Sequence, residues 1–247
     1  MLTKDAAICI RAIDYSETSQ IVTFFTRENG KVDAIAKGAK RPKSAFGGPI
    51  EMFSRGSVIF TAGAERNLAT LTEFDPTPAP STPGRDYFAL NCALFAAELV
   101  AALTDHRDPH PVLFDRLTQF LDDIRNSRER THSLALIILF QLALLKEIGL
   151  QPILRACANC KTPFTGKWTD AFFSSSADGL ICGDCEASFS DKIKLSKSAV
   201  GCLANMKKIA EAKEAVLDEL EKVLVRHFTE LLHRPPKMAK HILNKDG

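Results

Sequence analysis

The hydrophobic pattern of the first seventy-five residues is that of short β-strands, with a period of two in KVDAIAKGA. The stretches AAICIRAIDY and QIVTFFT are rich in β-branched and aromatic side chains. A Glu28-Asn29-Gly30 turn leads into KVDAIAKGA, where Val32, Ala34 and Ala36 alternate with Asp33, Ile35 and Lys37. SRGSVIFTAG and LATLTEFD complete a set of five short strands with glycine-bearing turns, which predicts a small β-barrel over residues 1–75. Pro76, Pro78, Pro80 and Pro83 then break the pattern, so residues 76–86 read as a semi-rigid linker. Beyond it the period becomes helical: Tyr87 to Leu103, Pro111 to Ile124, and His132 to Ile148, the last stopped by Gly149 and Pro152. The first of these is apolar nearly all round and is expected to be buried. Residues 87–152 and 193–247 are assigned to one helical domain, interrupted by a cysteine-bearing module at 153–192. The expected class is α+β and multidomain.

The 247 residues suffice for a substantial core. Net charge is only +2, so attraction to a polyanion must come from local clustering. The N-terminus carries Asp5 and Asp14 and lacks the apolar block of a signal peptide. The most apolar run, Leu134 to Leu145, is interrupted by Gln141 and falls short of the ~20 residues that cross a bilayer. A soluble, cytoplasmic protein with no membrane partner is the expectation.

Seven cysteines change the picture more. Cys9, Cys92 and Cys202 stand alone among apolar neighbours and read as small buried side chains. Cys157-Ala-Asn-Cys160 and Cys182-Gly-Asp-Cys185 form two C-x-x-C pairs with 21 residues between them. A two-residue gap lets both thiolates of a pair reach one ion, and two such knuckles complete a tetrahedral sulfur site suited to Zn2+. Four protein ligands leave no position for a reacting water, so the zinc is expected to be structural. Between the knuckles, a hairpin turning at Asp178-Gly179 is expected, with Trp168, Phe172 and Phe173 as its small core.

Catalytic patterns are wanting. No G-x-x-x-x-G-K-[ST] loop occurs, no His-x-Glu accompanies the cysteines as a zinc deaminase requires, and the isolated His106-Arg107-Asp108 lacks the other parts of a kinase. The alternative of a zinc-stabilised nuclease needs clustered carboxylates, and Asp105/Asp108 and Asp122/Asp123 are its candidates. Cations, by contrast, gather. Lys37, Lys40, Arg41 and Lys43 lie within seven positions, with no acid between Asp33 and Glu51, in a glycine-bearing stretch between the third and fourth strands. An inter-strand loop of a small barrel is where such barrels grip oligonucleotides. These four, with Arg55 at the start of the next strand, are the candidate nucleic-acid contacts. Arg226, Arg234, Lys237, Lys240 and Lys245 form a second basic segment, divided between a helix-dipole role and a secondary nucleic-acid contact.

The stretch AKGAKRPKSAFGGPIEMFSRG, preceded by DYSETSQIVTFFTRENGKV, resembles the bacterial RecO family of recombination mediators. The linker, helices, cysteine pairs and closing LLHRPPKMAKHIL follow in that family's order, though Pro235-Pro236-Lys237-Met238 departs from its usual ending. The resemblance implies an N-terminal OB-fold, a helical domain carrying an inserted four-cysteine zinc-binding module, and action without catalysis. It implies binding of single- and double-stranded DNA, annealing of complementary strands, and work with RecR in loading RecA, in a pathway shared with RecF. It implies a cytoplasmic, nucleoid-associated bacterial protein that recognises the acidic, Phe-ended tail of single-stranded-DNA-binding protein. Such a tail needs an apolar slot bordered by cations, and Arg125, Arg128 and Arg130 are the candidates for its rim.

Overall fold

The computed structural model describes residues 2–61, 68–77, 86–165 and 168–243. Most of the expected linker (78–85) and Lys245 lie outside the described residues. Five strands, β1 (Leu2–Asp14), β2 (Gln20–Thr26), β3 (Gly30–Ala36), β4 (Arg55–Thr61) and β5 (Leu68–Pro76), close a barrel in the order β1-β2-β3-β5-β4. The β3–β5 pairing is parallel, and the other pairings are antiparallel, as in an OB-like barrel. The period-two pattern does what it predicts: Val22, Phe24, Val32, Ala34, Ala36 and Phe60 point inward and are buried together. Gly30, at φ 64°, closes the β2–β3 turn, and a Cβ there would lie 2.1 Å from the Asp108 carbonyl oxygen, so a larger residue does not fit.

Helices α1 (Tyr87–Leu103) and α2 (Pro111–Asn126) follow. The chain forms two compact units, Met1–Arg85 with Ala97–Asn126, and Asp86–Ala96 with Ser127–Gly247. Helix α2 therefore groups with the barrel. Its apolar face buries Leu113, Leu117 and Ile124, and its Phe114 ring lies 6.3 Å from that of Phe25. Two of its carboxylates, one heptad apart, receive arginine forks from the barrel. Arg27 Nε and Nη2 donate to Asp115 at 3.2 and 3.0 Å, and Arg55 Nη1 and Nη2 donate to Asp122 at 3.0 and 2.6 Å. Lys31 donates to the carbonyls of Ala101 and Thr104, both at 2.6 Å, and partial burial lowers its pKa.

The Arg55 fork holds the Asp122 carboxyl below the usual carboxylate range, with Arg125 adding to it. A carboxyl whose pKa is depressed on folding contributes stability above its unfolded pKa and loses it as pH falls through the folded value. Arg55→Ala is therefore expected to cost about 1 kcal/mol near neutrality, the Asp122 end being partly exposed and screened. Urea unfolding of both proteins at pH 7 and pH 3 measures it. A penalty that persisted undiminished at pH 3 would assign it to lost packing of the arginine stem.

In the second unit, α3 (Arg130–Glu147) packs on the longer α5 (Glu214–Leu232). Between them lies a buried polar pair: Gln141 Nε2 donates to Glu221 Oε1 at 2.8 Å. Among the described residues, Gln141 Oε1 and Glu221 Oε2 find no partner. Strands β6 (Ala171–Ser174), β7 (Gly179–Cys182) and β8 (Ile193–Leu195) form a small antiparallel sheet in the order β7-β6-β8. Helices α4 (Lys197–Ala204) and α6 (Ala239–Leu243) complete the set. Ser196 caps α4 by accepting the Ala199 N–H at 3.1 Å.

Candidate metal centre and nucleic-acid interface

The first knuckle is built on the backbone of the sheet's edge. Ile153 N donates to the Asp178 carbonyl at 2.7 Å, Leu180 N donates to the Ile153 carbonyl at 2.9 Å, and Ala158 N donates to the Leu180 carbonyl at 2.7 Å. These bonds hold Cys157 and Cys160 against β7, whose last residue is Cys182, and a 3₁₀ turn at Gly183–Ser188 then brings Cys185 round. All four sulfurs lie within 4.8 Å of one another. Cys160 Sγ and Cys182 Sγ are 3.7 Å apart, close to the about 3.8 Å edge of a tetrahedron with 2.3 Å metal–sulfur bonds. Cys182 N points at Cys157 Sγ from 3.5 Å, an N–H that supports a thiolate.

The four cysteines thus fit a single metal ion. Hydrogen bonding with Thr162 brings the Cys160 thiol down to about 6, while burial pushes the Cys182 thiol up to about 12. A cation among the four sulfurs favours the thiolate at all of them. Beneath the sulfurs lie Phe172, Ile181 and Ala158, with Trp168 and Phe189 packed against them. The expected hairpin is present, but Phe173 belongs to the other face of the sheet, where its ring meets the edge of His227 at a centroid distance of 5.4 Å. Adjacent strand residues point to opposite faces, so Phe172 and Phe173 cannot share one core. His227 is buried core, pushed toward its neutral form by desolvation. Strand β8 is too short to show a period and carries no signal in the sequence.

The cationic stretch is less flexible than its glycines imply. Ala39, Phe46 and Ile50 anchor it in the barrel core. Gln20 grips it from inside, accepting the Ile50 N–H at 2.8 Å through Oε1 and donating to the Ile50 carbonyl at 3.4 Å. Between the anchors the chain runs through successive turns, with Arg41 N donating to the Gly38 carbonyl at 3.1 Å and Ser44 N to the Arg41 carbonyl at 3.1 Å. Lys37, Arg41 and Lys43 stand exposed on this pinned loop. Lys40 differs: its ammonium meets Asp14 at 2.7 Å, a partner that lies outside the acid-free window of the sequence.

The other candidate arginines are placed as follows. Arg55, with only 17% of its side chain exposed, is engaged with Asp122, which Arg125 also bonds. Arg130 donates to Glu214 at 2.7 Å and Asp218 at 2.9 Å and lies over the Phe88 ring, 4.8 Å from its centroid. Arg128 is exposed and donates to the Ser127 carbonyl at 3.1 Å. The C-terminal cations Arg226, Arg234, Lys237 and Lys240 are exposed. Among the described residues the four cysteines are the only group of ligand atoms set closely enough to hold a metal ion, and Asp122 is committed to arginines. No described helix is long and apolar enough to cross a membrane.

An OB-like barrel bearing a pinned cationic loop, followed by helices and a four-cysteine module, defines a multidomain α+β protein. Comparison with known proteins narrows this. Residues 1–79 match the family described as recombination protein O N terminal, and residues 84–240 match recombination protein O C terminal. DNA repair protein RecO of Bacillus subtilis (strain 168) is 34% identical over 187 residues, covering 75% of this chain and 69% of that protein. RecO of Listeria monocytogenes serotype 4b (strain F2365) is 32% identical over 185 residues, covering 74% and 69%. RecO of Alkaliphilus metalliredigens is 31% identical over 228 residues, covering 92% and 87%. The chain belongs to the recombination protein O family of DNA repair proteins.

Proposed function

We propose that this protein is a non-catalytic recombination mediator that binds single- and double-stranded DNA through the barrel's cationic loop. The observation that carries this is the exposure of Lys37, Arg41 and Lys43 on a loop whose ends are buried in the barrel core. A loop fixed in this way holds its charges ready for a phosphate backbone without losing further chain entropy on binding. Each phosphate it neutralises releases counterions, which makes binding tolerant of sequence and sensitive to salt. Two strands neutralised together, with bases left accessible, can anneal. Lys40 shares its charge with Asp14 and contributes less, and Arg55 serves chiefly to join barrel and α2. The domain assignment follows the same reading, with an OB-fold over 1–75, a linker, and helices split by the 153–192 module, except that α2 groups with the barrel and not with the other helices.

In this reading the four-cysteine site takes one structural Zn2+, and RecR, RecA, RecF and the tail of single-stranded-DNA-binding protein are the partners, in the cytoplasm at the nucleoid. Arg125, Arg128 and Arg130 are the residues to test for the acidic tail, beginning with Arg128, which is exposed where the other two are half-buried.

Replacing Lys37, Arg41 and Lys43 with alanine tests the central claim. For single strands each contact contributes about 0.7 to the slope of log affinity against log salt, so the slope should flatten by about 2. Thermal stability should stay within about 0.5 kcal/mol of the parent, as for ordinary surface substitutions. A DNA titration at several salt concentrations reads both affinity and slope. An unchanged slope in the folded variant would return the three residues to ordinary surface charge.

A further inference from the structure

In the first compact unit the phenylalanines, from Phe24 and Phe25 to Phe114 and Phe120, are buried, whereas Tyr15 leaves 64% of its surface to solvent. A single exposed apolar side chain is ordinary. The surroundings of Tyr15 are not. It begins the β1–β2 turn, where Tyr15 N donates to the Ser19 carbonyl at 2.9 Å and Ser19 N donates to Ser16 Oγ at 3.2 Å. That turn is fastened to the start of the cationic loop. Lys40 N donates to the Thr18 carbonyl at 3.0 Å, Gly38 N donates to Ser19 Oγ at 3.3 Å, and Lys40 Nζ meets Asp14 at 2.7 Å. The ring's backbone and the backbone that carries Lys37 and Arg41 are therefore one hydrogen-bonded assembly.

The adjacent strands add a second feature. Ile13 pairs with Ile21 and Ile21 with Ile35, so three isoleucines form a row across β1, β2 and β3. Their strand neighbours Val22, Ala34 and Ala36 face the core, which places the row on the barrel's outer surface. Ile13 is 41% exposed, and Ile21 and Ile35 are half-buried. An exposed ring, an apolar row on neighbouring strands and cations on the loop fastened to the same turn match the two faces of an unpaired nucleotide, a flat π-system and a phosphate. Duplex DNA hides its base faces and offers only the phosphate.

We propose that Tyr15 is a base-stacking platform for single-stranded DNA, with the isoleucine row extending it and Lys37, Arg41 and Lys43 holding the flanking phosphates. This rests on the DNA-binding reading above and assigns the discrimination between strands to a residue that carries no charge. Stacking releases no counterions, so its loss must lower affinity without changing the salt slope.

The experiment compares the full-length protein with Tyr15→Ala and Tyr15→Phe on three probes: a thymidine oligonucleotide, an abasic strand of equal length and charge, and a duplex. Tyr15→Ala should weaken binding of the thymidine strand about 5- to 100-fold and leave the salt slope and the abasic and duplex affinities unchanged. Tyr15→Phe, which keeps the ring, should bind like the parent. Equal weakening on all three probes would mean a general disturbance of the loop, and unchanged thymidine affinity would mean that the ring takes no base. Either result overturns the proposal while leaving salt-dependent DNA binding intact. A parent protein that binds none of the probes would instead overturn the underlying reading and this one with it.

Discussion

Cys182→Ser is expected to abolish stoichiometric metal binding and to lower the melting temperature of the second compact unit by about 10 °C or more. A serine hydroxyl does not ionise near neutrality and offers a poor replacement for a thiolate in a tetrahedral sulfur site. In such a site the metal-binding free energy is folding free energy, about 10 kcal/mol or more for a complete ligand set. Losing about 3 kcal/mol of it already shifts melting by about 10 °C in a unit of this size. The effect should spread because Cys182 ends β7, which pairs with β6, and Phe173 of β6 meets His227 of α5. The disturbance therefore has a direct route from the knuckle to the helices.

Three measurements check this. Elemental analysis of protein purified without chelator should give one zinc per chain for the parent and less than half that for the variant. Chelator should destabilise the parent and leave Cys182→Ser where it already lies. Cys160→Ser, at the exposed corner of the site, should lose metal but disturb packing less than the buried Cys182. A parent whose melting ignores chelator, and which contains no metal, would reduce the four cysteines to unligated thiols.

Elements with a strong local period were legible in the sequence. The alternation of Val32, Ala34 and Ala36 reads directly as an inward face of β3, and the wraparound apolar helix Tyr87–Leu103 appears with the same bounds. The four-cysteine cluster was legible because two C-x-x-C pairs encode their own geometry. What stayed hidden depends on residues far apart in the chain. Nothing local tells that Arg55 meets Asp122, 67 residues away, or that Lys40 meets Asp14 across the β1–β2 turn. A charge window counts neighbours along the chain, whereas Coulomb's law counts them in space. The burial of Phe46 and Ile50 was hidden for a related reason, since glycines on either side marked the stretch as flexible while its apolar anchors carried no period. Tyr15 escaped because composition placed it at the end of a strand, and exposure is a property of the folded surface alone.

Glu221 was hidden most completely: in KEAVLDELEKVLV it reads as one acid in an alternating, solvated face. It is in fact buried between α3 and α5, and desolvation raises its pKa from 4.5 to about 7, against the opposing hydrogen bond from Gln141 and the attraction of Arg130. Asp218, one turn earlier on α5, raises it further, and from α1 the buried Cys92 thiol feels the same carboxyl. The sign of the linkage follows. Because the folded pKa lies above the unfolded one, the stability associated with the protonated form is complete below about 4.5 and is lost as pH rises toward about 7.

Glu221→Gln should remove that dependence. The amide is neutral at every pH, keeps an oxygen to accept from Gln141 Nε2, and adds N–H donors where Gln141 Oε1 lacks one. Above pH 7 the variant should be more stable than the parent by about 3 kcal/mol, the gap between 4.5 and about 7 converted at about 1.36 kcal/mol per pH unit. Near pH 5 the advantage should shrink to about 1 kcal/mol, since the folded parent is then mostly protonated and only the unfolded chain is largely ionised. Urea unfolding of both proteins from pH 5 to pH 8.5 isolates the effect, because histidines and surface carboxylates contribute equally to each and cancel in the difference. A difference that stays constant across that range would show that Glu221 does not titrate there on folding. A variant that is less stable at every pH would show that the carboxyl's shape, and not its charge, is what α3 and α5 require.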